Sequence, residues 1–285
     1  MIRQLLVSSR PLSWVNTAFP FAAAYLLTVG QIDVRLVIGT IFFLVPYNLA
    51  MYGINDVFDY ESDLRNPRKG GLEGALLDPR IHRTTIVAAI VTCVPFIAAL
   101  VVLGSPLSWL VLAISLFAVV VYSAKGLRFK ERPVLDSITS STHFVSPAVY
   151  GLVLAGAQPT WPLVALLGAF FCWGAASHAF GAVQDVGADR EAGIASIATV
   201  FGARATVRIA IGVYLLGGAL LLLTDWPGPL AAVLVLPYVV MCWPYRSIPD
   251  ADAERANRGW RSFLWLNFAV GFLATMLLIW WSIVR

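Results

Sequence analysis

Apolar residues fill this chain in repeated stretches of roughly 20, the length that carries a helix across a bilayer. Nine such stretches are predicted, near residues 12–30, 36–58, 85–104, 107–124, 136–157, 161–183, 206–224, 228–245 and 262–283. Several contain Pro or Gly, which membrane helices tolerate because neighbouring groups satisfy the freed backbone. The fifth, DSITSSTHFVSPAVYGLVLAG, is the most polar, and its Ser and Thr side chains are expected to hydrogen-bond adjacent helices. The expected fold is all-α: a polytopic membrane protein of nine transmembrane helices, forming one integral-membrane domain over residues 1–285.

Composition strengthens this reading. Only 13% of the 285 residues are charged and 59% are hydrophobic, with a mean hydropathy of +0.78. A soluble domain carries roughly 25% charged residues. The net charge of +4 is less informative than where the charges lie. Nine crossings put the N-terminal tail and the loops near 59–84, 125–135, 184–205 and 246–261 on one side. That side holds 18 of the 20 Lys and Arg, and the other only Arg35 and Arg285. Excess Lys and Arg mark the cytoplasmic side. The N-terminus is therefore expected inside and the C-terminus outside, in the plasma membrane. Cys93, Cys172 and Cys242 lie far apart in apolar runs, without metal-ligand spacing, and read as small buried side chains. Neither a secretory signal nor a soluble domain is expected.

Against this background, YGINDVFDYESD at residues 52–63 is anomalous, because charge at bilayer depth is costly. With the second span continued as a helix through residue 63, Asn55, Asp56, Asp59 and Asp63 fall within an arc of about 100°, and Glu61 points elsewhere. Such a face presents three carboxylates and an amide. Like charges this close repel, and a divalent cation removes the conflict. Hard oxygen ligands suit Mg²⁺, which keeps waters and shares its shell with substrate phosphates. A second cluster, GAVQDVGADREAG, ends the sixth span. Asp185 and Asp189 share a helix face, and His178 lies seven residues earlier on roughly the same face. Asn55-Asp56-Val57 and Gln184-Asp185-Val186 hint at an internal repeat. The plainer alternative for each cluster is a solvated helix end or an ion-pair partner for a nearby Arg.

Basic residues stand close by: Arg65, Arg68 and Lys69 after the first cluster, Lys125, Arg128, Lys130 and Arg132 after the fourth span, and Arg190 after the second cluster. Cytoplasmic loops contain such residues in any case. Yet carboxylates, Mg²⁺ and guanidinium groups together are what a diphosphate needs. A diphosphate site facing an apolar interior suits an allylic prenyl diphosphate, whose cation the apolar walls would shield from water.

Here the residues carry a resemblance. NDVFDYESD is similar to the first aspartate-rich motif of the UbiA-type intramembrane prenyltransferases, and DVGADREAG to their second; SRPLSWVN and the YS at 122–123 also fit the family's pattern. The resemblance spans the chain and implies a helical bundle around a central cavity. It implies Asn55, Asp56, Asp59 and Asp63 as a first metal site, and Asp185 and Asp189 as a second. Mg²⁺ is then the cofactor, expected as two ions bridging the prenyl diphosphate. Asp56, Asp59, Asp185, Asp189 and Tyr122 are the implied catalytic residues, Tyr122 lining the cavity near the reacting carbon. Asn55, Arg10, Arg65, Lys125 and Arg128 are the implied substrate-binding residues; His178 joins them from its place on the face of the second cluster, where it would orient an aspartate or accept a proton.

Within the family the chain most resembles lycopene elongases, through NPRKGGLEGALL, RPVLDSITSSTHFVSPAVYG and SHAFGAVQDVGADREAGIASIATVFGA. This implies dimethylallyl diphosphate as donor and lycopene as acceptor, with loss of a proton or uptake of water at the end. The implied partners are a prenyl diphosphate, a lipophilic acceptor, the bilayer and carotenoid-pathway enzymes, with no nucleic acid. Two alternatives stay open. One is the same enzyme class with a quinone precursor, aromatic acid, chlorophyll-type alcohol, haem or lipid acceptor. The other is a cation-coupled transporter, although transporter sites tend to lie near the midplane on broken helices. His143 and His178, both within spans, are functional candidates with structural hydrogen bonding as the alternative. The ten Trp lie mostly near span ends, as in an interfacial belt.

Overall fold

The computed structural model describes residues 1–64 and 76–284. Among the described residues every regular element is helical. In chain order these are α1 (Ile2–Ser8), α2 (Val15–Val29), α3 (Val34–Leu44), α4 (Pro46–Phe58), α5 (Tyr60–Asp63), α6 (His82–Leu103), α7 (Pro106–Ser123), α8 (Leu135–Leu154), α9 (Trp161–Val183), α10 (Val186–Glu191), α11 (Ile197–Phe201), α12 (Ala203–Leu221), α13 (Leu236–Cys242) and α14 (Asn257–Val284), with short 3₁₀ turns between some of them.

All nine predicted spans fall on helix. Among the described residues, eight helical segments are long and apolar enough to cross a membrane. The fifth predicted span, α8, is not among them, because its Ser, Thr, His and Asp residues dilute its apolar content. Those polar groups are used internally, as expected. Ser137 Oγ lies 3.1 Å from His178 Nδ1, Ser141 Oγ donates to the Phe171 carbonyl at 2.8 Å, and Ser146 Oγ donates to Ser115 Oγ at 2.7 Å.

The chain divides into two compact units: Met1–Phe129 with Thr142–Ala157, and Lys130–Ser141 with Gln158–Arg285. In the first unit, Phe21, Phe42, Phe43, Tyr47 and Tyr150 form a fully buried aromatic core. A Cβ at Gly39 would collide with the Phe21 ring, so α3 approaches that ring only through glycine. The second predicted span is interrupted at Val45, because Pro46 has no N–H to continue the ladder. At the break the Phe43 carbonyl accepts from Thr17 Oγ1 at 2.7 Å and from Asn48 Nδ2 at 2.8 Å. Hydrocarbon offers no water for that task, so side chains must do it.

In the second unit α9 packs along α12 through small residues. A Cβ at Gly217 would touch the Cys172 side chain and the Ala169 carbonyl. Tyr214 and Tyr238 stack with centroids 5.2 Å apart, and Tyr214 Oη pairs with Ser177 Oγ at 2.9 Å. Cys93, Cys172 and Cys242 are unbridged; Cys93 and Cys242 are buried, in keeping with their reading as small core side chains, whereas Cys172 is half-buried.

Candidate active site

The first acidic motif lies wholly in the first unit. α4 ends at Phe58 and Asp59 adopts φ −97°, ψ −3°, so the helix expected to run through residue 63 is interrupted. The i→i+4 ladder nevertheless persists: the Asp59 N–H donates to the Asn55 carbonyl at 2.9 Å, and the Asp63 N–H to the Asp59 carbonyl at 2.8 Å. The expected division of the face holds. Asp56, Asp59 and Asp63 are 1%, 6% and 6% exposed, whereas Glu61 is exposed.

Each of the first two carboxylates meets an arginine. Arg10 Nη2 donates to Asp56 Oδ1 at 3.1 Å, and Ser8 Oγ donates to Asp56 Oδ2 at 2.9 Å. The Arg10 guanidinium also lies 4.3 Å from the centroid of the Tyr52 ring. Arg128 Nη2 is 3.7 Å from Asp59 Oδ1. Among the described residues only three non-glycine residues have positive φ, and Arg10 (51°) and Arg128 (40°) are two of them. The left-handed region costs an L residue about 1–2 kcal/mol. Strain of this kind collects where a side chain must be aimed. Asn55 Oδ1 accepts from Ser123 Oγ at 2.8 Å. The neighbouring Tyr122 is half-buried, edge-to-face with the buried His143 at 5.2 Å. Lys125 is exposed on the turn after α7, and among the described residues no hydrogen bond or ion pair holds it. Arg65, with Arg68 and Lys69, lies outside the described residues.

The second acidic motif lies wholly in the second unit. α9 ends at Val183, Asp185 adopts φ −95°, ψ −3°, and the Asp189 N–H donates to the Asp185 carbonyl at 2.8 Å. Asp185 and Asp189 are both half-buried. Gln184 Oε1 accepts from Asn257 Nδ2 at 2.5 Å. Arg190, expected among the cations near a diphosphate, is instead committed to Asp250 at 2.7 Å and to the Thr199 carbonyl at 2.9 Å. His178 is tied to α8 through Ser137, the structural hydrogen bond that was its alternative reading.

Two contributors escaped the sequence reading. Ser8 reaches Asp56 from 48 positions away and belongs to no motif. Asp136 is fully buried; its Oδ1 accepts the Ser137 N–H at 2.6 Å and its Oδ2 the Ile197 N–H at 2.7 Å. It thereby anchors the segment that follows the second motif. A carboxylate inside a predicted span was the available signal.

Among the described residues no three His, Cys, Asp or Glu side chains converge as a closed metal cage. The donors are hard oxygens on half-buried or buried carboxylates and an amide. That set fits Mg²⁺, which takes one or two carboxylates and completes its shell with water and phosphate.

An all-helical membrane fold with an aspartate motif at the end of two apolar helices defines a class of enzyme acting on a polar head with a greasy tail. The chain belongs to the UbiA prenyltransferase family, which it matches over residues 17–269, and it is a membrane prenyltransferase. It is 58% identical over 281 residues to the C(50) beta-cyclic carotenoids biosynthesis protein LbtBC of Dietzia sp. (strain CQ4), covering 98% of this chain and 65% of that one. It therefore spans just under two thirds of that relative. It is 52% identical over 278 residues to the lycopene elongase/hydratase of Corynebacterium glutamicum, covering 98% of this chain and 97% of the other. A UbiA homolog from Archaeoglobus fulgidus bound to GPP and Mg²⁺ shares the fold, with a TM-score of 0.68 at 20% identity over 94% of this chain and 99% of that one. Family membership displaces the transporter alternative.

Proposed function

We propose that this prenyltransferase moves a dimethylallyl group from its diphosphate to lycopene. The observation that carries the acceptor is 52–58% identity, over 98% of the chain, to relatives named for lycopene elongation and C(50) carotenoid synthesis. We further propose that the two units act as one catalytic domain, with the acidic motifs as two halves of a diphosphate clamp. Asn55, Asp56, Asp59 and Asp63 would hold Mg²⁺ on one side and Asp185 and Asp189 on the other, with two ions expected. Bound there, Mg²⁺ neutralises the diphosphate and makes it a better leaving group.

The chain's own residues do the rest. Arg128 and Arg10, already aimed at the carboxylates, meet the remaining phosphate charge, and Lys125 and Arg65 add to it. The allylic C–O bond breaks, its electron pair leaving with the diphosphate. Tyr122 faces the resulting cation with a ring, which stabilises positive charge through its quadrupole. The terminal alkene of lycopene forms the new C–C bond, leaving a tertiary cation. That cation loses a proton, or takes up water and then loses a proton. His178, on α9 seven residues before Asp185, serves on the substrate side. An apolar polyene makes no hydrogen bonds, so apolar walls are the acceptor site's main requirement.

The 18 Lys and Arg predicted on one side support nine crossings in the plasma membrane, with the N-terminus and both acidic motifs at the cytoplasmic face and the C-terminus outside. Carotenoid-pathway enzymes are the expected partners.

The test is a membrane assay with dimethylallyl diphosphate and lycopene, with and without Mg²⁺, reading pigment mass. A Mg²⁺-dependent gain of five-carbon units is expected. If lycopene is unchanged while an extract still consumes the donor, the acceptor is wrong and the clamp survives.

A further inference from the structure

At the start of α12 a groove of about 620 Å³ opens on the surface of the second unit. Arg204 and Arg208 line it, one helical turn apart, with Phe201, Ile209, Ile248 and Asp250. We propose that this groove binds the phosphodiester headgroup of an anionic glycerophospholipid.

Charge is the first argument. Asp250 is the groove's one acidic lining residue, and its carboxylate is already satisfied: Oδ1 accepts the Ala203 N–H at 2.7 Å and Oδ2 meets Arg190 Nη1 at 2.7 Å. The Arg190–Asp250 pair is self-cancelling, so the groove keeps the charges of Arg204 and Arg208. Arg208 is fixed by its Nε–H, which donates to the Arg246 carbonyl at 3.0 Å; its two Nη groups make no hydrogen bond or ion pair among the described residues. Arg204 is exposed and likewise makes none there. Two guanidinium groups one turn apart suit the two unesterified oxygens of a phosphodiester, by charge-assisted hydrogen bonds.

Depth is the second argument. One candidate membrane span begins at Ala203 and another ends at Tyr245. Arg204 and Arg208 belong to the first turns of one, and Arg246 follows the other directly. The groove thus sits where apolar helix gives way to polar connection, the level at which lipid phosphates lie. The apolar rim agrees. Phe201 is 49% exposed and Ile209 37%, which is wasteful against water but natural against the upper part of an acyl chain. A soluble phosphate would use the arginines and leave this rim idle. Asp250 also ties the groove to the second acidic motif through Arg190, its ion-pair partner, which directly follows Asp189.

The experiment uses the full chain in nanodiscs of phosphatidylcholine with or without a minority of phosphatidylglycerol, read by native mass spectrometry and by thermal stability. The unaltered protein is expected to retain phosphatidylglycerol selectively and to melt higher in its presence. Arg204→Gln, which breaks no hydrogen bond, should weaken retention about fivefold, and the Arg204→Gln/Arg208→Gln pair by more than about tenfold. Arg258→Gln/Arg261→Gln removes the same charge from the start of α14 and should leave retention unchanged. An equal loss in that control would overturn the site in favour of diffuse surface charge. Protection by inorganic phosphate matching that by the lipid would overturn the lipid as its occupant.

Discussion

Asp59 and Asp185 occupy the same backbone conformation, at φ/ψ of −97°/−3° and −95°/−3°. Asp59 caps α4 and Asp185 follows Gln184, the cap of α9, and each lends its carbonyl to the N–H of a second aspartate four residues on, Asp63 or Asp189, at 2.8 Å in both cases. The conformation is sparsely populated in general and recurs at active sites. By backbone conformation, Asp59-Asp63 corresponds to Asp185-Asp189. The sequence repeat had instead matched Asn55-Asp56-Val57 to Gln184-Asp185-Val186, one turn away.

Asp59→Ala and Asp185→Ala should therefore behave alike. Each is expected to lower turnover by about a hundredfold or more, as loss of a metal ligand does, while the protein stays folded. Pigment mass against time, with circular dichroism on the same samples, checks both. Near-normal turnover in either variant would mean that its motif is not part of the clamp.

Arg10→Ala removes the partner of a buried carboxylate. Arg10 is partly exposed, so the loss should be about 2 kcal/mol, short of the full cost of stranding a buried charge. That corresponds to a fall in Tm of roughly 5 °C. Millimolar Mg²⁺ should restore part of it, because a metal on Asp56 replaces the missing cation. Absence of any Mg²⁺ effect on the variant's melting curve would remove Asp56 from the metal site.

Gly39→Ala should be strongly destabilising, by about 2–3 kcal/mol, since the added methyl meets the fully buried Phe21 ring with no room to yield. Thermal melts in detergent read this directly. Phe21→Leu in the same chain should recover part of the loss, by shortening the obstacle.

Asp33 joins two helices. Its Oδ1 accepts the Leu36 N–H at 2.9 Å, capping α3, and its Oδ2 accepts from Tyr25 Oη at 2.7 Å. The backbone hydrogen bond from Leu36 is the main reason that its carboxyl titrates below the usual range. A lowered folded value means that the stabilisation is present above the unfolded value and disappears as pH falls through the folded one. Asp33→Ala should thus cost about 1 kcal/mol near neutral pH and progressively less below about pH 4. A cost that did not shrink on acidification would assign the effect to something other than the charged cap.

Much of the helical layout was legible in hydropathy, because bilayer thickness dictates segment length. The exposure of Glu61 and burial of Asp56, Asp59 and Asp63 were legible too, because helical periodicity survives the bend at Asp59. The bend itself was not, since hydropathy does not register a single residue's ψ. The interruption before Pro46 had a visible cause, but a window average passes over it. Ser8 and Asp136 were missed for a different reason. Their partners come from 48 and 61 positions away; a carboxylate in a predicted span marked Asp136 as unusual, but nothing local announces the partner of either residue.

Asp136 has a consequence for local unfolding. One carboxylate accepts the N–H of Ser137 at the start of α8 and the N–H of Ile197 at the start of α11. Opening of residues 192–197 would break the Ile197 hydrogen bond and leave a buried acceptor without its donor. The segment after the second motif therefore opens together with the first turn of α8 or stays shut. In hydrogen-exchange terms the amide of Ile197, at the edge of a short helix where fraying is the rule, belongs with the slowly exchanging core.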